Sequence, residues 1–253
     1  MTIDLRAHLV TSRLAGDVAT VRGSTRANCH KLVEGHPEYT FGLSDYRTAT
    51  AEEALEAVAE VCGADPAKGA PDDPGWIEPD ATLKQVELHR QRLAALVASG
   101  GGQVLLATGH PTGLLAHYGA LARALRAHGC TVLTPRDGAW VHRDWDDREV
   151  GIRFVDGVGC AFDGGSLRHT HRSVFMEAML QELGGACDLV IGDHGMAGAA
   201  IEQGIPTLSI ADVNDPALPL AQQRGRTDAV LPIDDNLAPR LFVPVTEAIL
   251  DWH

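Results

Sequence analysis

The chain has 253 residues, of which 45% are hydrophobic, and this is enough apolar material for the core of one large domain or two small ones. Its net charge of −13 argues against duplex nucleic acid or an anionic membrane as a partner. The chain has five scattered cysteines and no signal-peptide pattern. It also lacks any run near the roughly 20 apolar residues that span a bilayer. These features predict a cytoplasmic protein with reduced thiols.

The N-terminal segment is predicted to be helical over residues 1–62, because leucines recur at helical spacing in its first part. Thr50 is the predicted N-cap of an Ala/Glu-rich helix within this segment. Residues 62–79 are rich in proline, glycine and aspartate, and this composition predicts a loop. We therefore expect residues 1–80 to form a helical cap region.

Residues 81–253 alternate between apolar runs of strand length and helical patterns, and residues 149–163 predict a hairpin inserted into this core. The predicted strands are 103–107, 131–133, 188–191, 206–211 and 229–233. The predicted helices are 83–97, 113–128, 173–183, 195–203 and 237–252. This alternation predicts a single α/β domain, a three-layer sandwich with a mostly parallel central sheet and the N-terminal helical cap.

The turn after the first core strand is a candidate anion site, because ligands of open parallel sheets bind beyond the carboxyl ends of the strands. Glycines, threonines and the positive end of the following helix would hold phosphoryl oxygens, although an ordinary strand-to-helix turn has the same composition. The turn is neither a P-loop nor a dinucleotide fingerprint, so we expect no nicotinamide or flavin cofactor. The predicted phosphate-binding residues here are Thr108, Gly109, Thr112 and Gly113, with His110 as a catalytic candidate.

Two histidines at alternate positions, His169 and His171, form a second candidate. Period-two spacing in an extended segment places them on the same side, where they suit a metal ion or a phosphate. We assign His169 to general acid or base catalysis and His171 to phosphate binding. The alternative is a pair of exposed loop histidines.

Asp193 and His194 directly follow the predicted strand 188–191 and precede a glycine-bracketed helix. A carboxylate and an imidazole at the active edge of a sheet predict catalytic roles for both residues and a metal-binding role for Asp193. The alternative is that Asp193 only caps the helix.

The turn after strand 206–211 carries three oxygen-bearing side chains that suit a hard divalent cation such as Mg²⁺ or Mn²⁺. The predicted metal ligands in this turn are Asp212, Asn214 and Asp215. A polar turn before a helix is the alternative explanation. The similar run 234–236 is assigned to capping of the last helix.

Near the N-terminus, Arg22 and Asn28 lie in the densest positive patch of this acidic chain. They would contact the phosphate of a substrate if the cap folds over the sheet edge. A solvated helix face is the alternative.

The chain resembles a bacterial family known simply as phosphatases, and the likeness runs along most of its length. The segments that carry it are Ala15–Thr20, Ala107–Leu115, Leu167–His171, Asp193–Ala200, Ala211–Pro216 and Pro232–Asn236. A more distant likeness to D-glutamate cyclase-type proteins rests on residues 104–109 with 119–125, and on the Gly192-Asp193 and Gly195-Met196 pairs. The first resemblance implies a phosphatase, and the second implies the same fold with lyase or cyclase chemistry.

Together these patterns lead to the hypothesis of a phosphatase that hydrolyses a phosphate monoester of a small metabolite with a divalent metal. The chain has neither a DxDx[TV] nucleophile motif nor a CX5R thiolate loop, so no motif indicates a covalent phosphoenzyme, and a histidine nucleophile is the remaining alternative to direct attack by water. The alternatives are a lyase or cyclase acting on a carboxylated metabolite and a non-catalytic metabolite-binding protein. The apolar C-terminal helix allows a homodimer.

Overall fold

The structure, a computed structural model, describes residues 4–143 and 147–252 and shows an α/β protein. The helices are α1 (Leu5–Thr11), α2 (Arg22–Val33), α3 (Pro37–Thr40), α4 (Ala51–Cys62), α5 (Pro79–Ala98), α6 (Pro111–Ala127), α7 (Val174–Leu183), α8 (His194–Glu202), α9 (Ala217–Gln223) and α10 (Val243–Leu250). The strands are β1 (Gly16–Val21), β2 (Pro74–Ile77), β3 (Gln103–Thr108), β4 (Thr131–Val132), β5 (Trp140–Arg143), β6 (Glu149–Val155), β7 (Val158–Phe162), β8 (Leu167–Arg168), β9 (Leu189–Asp193), β10 (Thr207–Ala211) and β11 (Val230–Pro232). Short 3₁₀ helices lie at Asp45–Thr48 and Pro239–Phe242.

The main sheet of the described residues has the order β11-β10-β9-β3-β7-β6-β5, with β4 paired to β3 and β8 paired to β7. Strands β11, β10, β9, β3 and β7 run parallel to one another, as β4 does to β3. Strand β6 is antiparallel to both β5 and β7, and β8 is antiparallel to β7. The sheet is therefore mixed, and its parallel half agrees with the prediction.

Alternate side chains of β3 pack on opposite faces of the sheet, as the period of a strand requires. Val104 and Leu106 belong to the apolar cluster that contains residues of α5, α6 and α10. Leu105 and Ala107 belong to the cluster with residues of α7 and α8. Helices thus cover both faces, and the predicted three-layer arrangement is confirmed.

The predicted hairpin is confirmed, with β6 and β7 joined by Asp156 and Gly157. Their φ angles of 52° and 87° are the two positive values that a tight two-residue hairpin turn of type I′ requires. Strand β7 pairs with β3, so this hairpin is a continuous part of the main sheet. It extends the sheet beyond the strand that carries the Thr108 turn.

The N-terminal region departs from the predicted helical cap, because β1 pairs with β2 in an antiparallel ladder. Strand β2 lies inside the segment predicted as a loop. Gly16 and Val18 are buried while Asp17 and Ala19 are exposed, so the burial in β1 alternates with the period of a strand. The remaining cap is helical, and Thr50 forms the predicted N-cap as a capping box with Glu53.

The last predicted helix, 237–252, is shorter in the structure. A 3₁₀ turn precedes α10, which begins at Val243. Pro244 occupies the first turn of α10, where a missing amide hydrogen costs no helical hydrogen bond. Prolines at 239 and 244 therefore explain why the helix starts late.

Within residues 4–143 and 147–252, no helix combines the length and the apolar composition that a membrane-spanning segment requires. The five cysteines carry free thiols, as predicted.

Two buried histidines away from the strand-end turns, His89 and His117, make stability fall in acid. Burial lowers the pKa of His89 to about 4 and that of His117 to about 3, although the Ala229 carbonyl, which accepts from His89, opposes the shift. Unfolded histidine titrates near pH 6.5, so below that pH the unfolded chain binds more protons than the folded chain. Each histidine should remove about 2 kcal/mol from the free energy of unfolding at pH 5.

Urea unfolding at pH 7 and pH 5 measures this effect. We expect the double variant His89→Gln and His117→Gln to lose less free energy of unfolding between the two pH values than the wild type does. An equal loss in both proteins would contradict the assignment.

Candidate active site

The turns that follow β3, β9, β10 and β11 meet at one edge of the sheet, because these strands are neighbours and run in the same direction. The sequence predicted this meeting for the turns at Thr108, Asp193 and Asp212. Thr108 Oγ1 donates to Asp193 Oδ2 at 2.6 Å, and Asp212 N donates to Asp215 Oδ2 at 3.1 Å. Asp215 in turn faces His194. The structure therefore joins all three turns through side chains.

Asp193 is fully buried, and its two oxygens already have donors. Besides Thr108, the Gly109 amide donates to Oδ1 at 2.5 Å, and His194 Nδ1 lies 3.3 Å from the same oxygen. A carboxylate held in this way fixes the orientation of its neighbours. The geometry favours an orienting role for Asp193 over the predicted role of metal ligand, and the carboxylate does not cap α8 through its side chain.

His194 lies in the sharp turn between β9 and α8 with a φ of 44°. This left-handed conformation is uncommon outside glycine, asparagine and aspartate. Its neighbour must be glycine, since a Cβ on Gly195 would lie 2.4 Å from the His171 carbonyl oxygen. The backbone thereby turns the His194 ring into the interior, where Nε2 lies 3.5 Å from Oδ2 of both Asp215 and Asp235.

Asp235 also belongs to this cluster, although the sequence did not predict a site role for it. Its Oδ1 lies 3.2 Å from His110 Nδ1, and its side chain is 5% exposed. The His110 Nδ1 atom and Asp235 Oδ2 are buried without a hydrogen-bond partner, so the 3.2 Å approach lacks hydrogen-bond geometry. The predicted capping role is wrong, because neither the Pro239–Phe242 turn nor α10 has a side-chain cap. Its position directly beyond β11 was the available signal.

Negative charge exceeds positive charge in this cluster. Burial disfavours a charged His194 ring, but Asp215, Asp193 and Asp235 together outweigh burial and raise the pKa of His194 to about 10. Burial also raises the pKa of Asp215 to about 6, against the opposing effect of His194. Burial disfavours a charged His110 ring as well, but Asp235 outweighs burial and raises the pKa of His110, so three buried carboxylates face at most two cationic rings and the imbalance favours a bound cation.

Four histidine rings pack together at the site. His171 stacks on His194 with centroids 4.4 Å apart, and His169 stacks on His110 at 4.5 Å. His169 and His171 lie on the same side, as their spacing predicted, with centroids 4.8 Å apart. The rings form a continuous wall, and His169 is its exposed member. Partial burial, together with the neighbouring His194 and His110, lowers the pKa of His169 to about 4.

His171, predicted to bind phosphate, is instead held from the cap side. Its Nδ1 donates to the Glu38 carbonyl at 2.8 Å, and the ring meets Phe41 edge to face. Phe41 also contacts the His194 ring in the same manner. His171 therefore supports His194 as a packing neighbour.

Among the described contacts, no hydrogen bond or ion pair joins the predicted metal ligands Asp212 and Asn214 to the histidine rings. Asp212 Oδ1 accepts from the Val213 amide and Oδ2 accepts from Thr20 Oγ1, both at 2.7 Å. The Asn214 carbonyl accepts from Asn28 Nδ2 at 2.9 Å. A hydrogen bond from Asp212 N to the Asp215 side chain closes the turn. Of this trio, Asp215 alone faces His194.

The turn predicted to bind phosphate makes internal contacts instead. The Gly109 amide donates to Asp193, and the His110 amide donates to Thr108 Oγ1 at 2.9 Å. Gly113 packs so tightly that a Cβ would lie 2.1 Å from the Asp235 carbonyl oxygen, while Thr112 is exposed in the first turn of α6. These residues are used in building the turn. The N-terminal end of α6 is therefore the positively polarised group that is left to attract an anion.

Arg22 and Asn28 have structural contacts. The Arg22 guanidinium donates to the main-chain carbonyls of Asp65 and Lys68 and so holds the loop before β2. Asn28 is buried against the turn that contains Asn214. Neither contact supports the predicted phosphate-binding role.

Comparison with known proteins gives a consistent result. The family model described as Phosphatase matches residues 1–252. The protein named Phosphatase SCO2771, from Streptomyces coelicolor, is 35% identical over 259 residues, which cover 98% of this chain and 94% of that protein. No solved structure matches the chain.

Proposed function

Because the chain belongs to the phosphatase family, we propose that it hydrolyses a phosphate monoester of a small metabolite with the help of a divalent metal ion. The family membership supports a hydrolase. The observation that carries the finer proposal is the convergence of His194, Asp215 and Asp235 in a buried cluster at the sheet edge.

The donor set of this cluster fits a metal ion. One ligand atom from each of His194, Asp215 and Asp235 lies within 4.8 Å of the others, and Asp235 Oδ2 has no hydrogen-bond partner despite its burial. When bound, a divalent ion would polarise the phosphoryl group and lower the pKa of a coordinated water. An imidazole beside two carboxylates suits manganese, iron, cobalt or zinc better than magnesium, which prefers oxygen ligands.

The surrounding residues prepare His194 for this role. Asp193, fixed by Thr108 and the Gly109 amide, accepts from Nδ1 of His194, so that a metal ion would take the place of the proton on Nε2. Metal-bound histidines commonly donate their second ring nitrogen to a carboxylate in this way. Thr108, Gly109 and Asp193 therefore act as positioning residues for the imidazole.

Substrate would reach the cluster past His169, the exposed member of the histidine wall. The positive end of α6 begins beside it at His110 and Pro111, and this end attracts the phosphoryl oxygens. Phe41 covers the rings of His171 and His194 from the cap side. Water is thereby excluded from the buried carboxylates but not from the His169 side.

Phosphate release from a broad panel of phosphomonoesters, with Mg²⁺, Mn²⁺ or Zn²⁺ supplied, tests the function. We expect release that is strongest with a transition metal, and a loss of at least about 100-fold in Asp215→Asn. Asp72→Asn is the matched control, because Asp72 is exposed on the loop before β2.

The proposal fails if the wild type releases no phosphate from any panel member with any of the metals. Dehydration of a hydroxy acid, or cyclisation of a carboxylated substrate with loss of water, without phosphate release would favour the lyase or cyclase alternative. Tight metabolite binding without turnover would favour a binding protein.

A further inference from the structure

We propose that the site binds two metal ions and that Asp235 bridges them. The inference builds on the proposed metal at His194, Asp215 and Asp235 and adds a second divalent cation, held by His110, His169 and the other oxygen of Asp235.

The two oxygens of Asp235 face different histidines. Oδ1 lies 3.2 Å from His110 Nδ1, and Oδ2 lies 3.5 Å from His194 Nε2. Both His110 Nδ1 and Asp235 Oδ2 are buried and lack hydrogen-bond partners. A buried polar atom without a partner is costly, and a cation on each side of the carboxylate would satisfy both atoms.

The ligand atoms form two adjacent groups. One consists of His194, Asp215 and Asp235, and the other contains His110, His169 and His194; within each group the ligand atoms lie within 4.8 Å of one another. His194 cannot serve both ions, since its Nδ1 is turned to Asp193 and only Nε2 is left. In the second group Asp235 would take the place of His194, because its Oδ1 lies 3.2 Å from His110 Nδ1, and the second ion would be held by His110, His169 and this oxygen.

The chemistry of the second position is defined by its donors. Two imidazole nitrogens and one carboxylate oxygen favour a divalent first-row metal ion such as Mn²⁺, Co²⁺ or Zn²⁺ over Mg²⁺. Because His169 is exposed, this ion would keep positions open toward solvent. Two ions about 3.5–4 Å apart can clamp the attacking and leaving oxygens of a phosphoryl group, so the arrangement suits the proposed reaction.

Metal counting tests the second ion without reference to activity. The full chain is stripped with a chelator and titrated with Mn²⁺, and bound manganese per chain is measured by elemental analysis and by electron paramagnetic resonance. We expect two ions per chain with a spin-coupled signal. His169→Gln and His110→Gln should each bind one ion with an uncoupled signal, whereas His128→Gln, at the far end of α6 and exposed, should bind two.

A wild type that binds one ion or none, or variants at both His169 and His110 that retain two coupled ions, would overturn the proposal. Circular dichroism establishes that each variant is folded, and the exposed position of His169 makes its variant the safer of the two. One ion with phosphate release contradicts only the second ion. Two ions without phosphate release contradict only the phosphatase reaction.

Discussion

Replacing His194 by asparagine is expected to lower kcat/KM for phosphate release by about 10³-fold, because several kcal/mol of transition-state stabilisation depend on the cation that its Nε2 helps to hold. Asparagine is the right substitution, since it tolerates positive φ and the residue has a φ of 44°. The turn between β9 and α8 should therefore persist. Asparagine is also too short to bring a nitrogen to the place where Nε2 approaches Asp215 and Asp235.

Steady-state kinetics on the best phosphomonoester measures this effect, and urea unfolding shows whether the fold survives. His128→Asn is the control, because it removes an exposed imidazole at the opposite end of α6. We expect that control to change kcat/KM less than twofold. Wild-type rates in a folded His194→Asn protein would remove His194 from the mechanism.

Gly109→Ala is expected to lower kcat by about 100-fold although it replaces no titratable residue, since a displacement of about 1 Å in an active site has this effect. A Cβ at this position would lie 2.2 Å from the Thr170 carbonyl oxygen and 3.2 Å from both Asp193 Oδ1 and His194 Nδ1. The Gly109 carbonyl also accepts from the Thr170 amide at 2.9 Å, so the two backbones are locked together. The methyl group must push away the segment that carries His169 and His171.

Thermal or urea unfolding should show an accompanying loss of about 1–3 kcal/mol, the usual cost of overpacking. Gly165→Ala is the matched control, since its φ is not in the left-handed region and its Cβ would have only the Asp163 carboxylate at 3.8 Å. Full activity in Gly109→Ala would mean that the spacing between β3 and the histidine segment is unimportant for turnover.

The parallel core and its active edge could be predicted from the sequence, because apolar runs of strand length are a local signal. The run at β3 ends at Thr108, the run at β9 ends at Asp193, and both residues lie where the strand-end rule places ligands. The same rule applied to β11 would have found Asp235. A competing explanation, helix capping, obscured it, and only the late start of α10 excludes that explanation.

Long-range pairing explains what the sequence could not predict. Strand β1 exists because Gly16 pairs with Ile77, a partner in a segment whose composition indicates a loop. The carboxylate of Asp212, a predicted metal ligand, instead accepts a hydrogen bond from Thr20, which is far away along the chain. Local spacing contains no information about either partner.

The order of the strands has a consequence for how the protein is made. Asp235 follows β11, the last strand to be synthesised, and pairs with histidines from turns that emerge much earlier. A nascent chain that already contains β3 and β9 therefore lacks the carboxylate that lies between His110 and His194 at the centre of the cluster. The proposed metal binding and turnover would thus require a chain in which β11 has joined the sheet, and loss of bound metal during unfolding should report the global transition instead of local fraying.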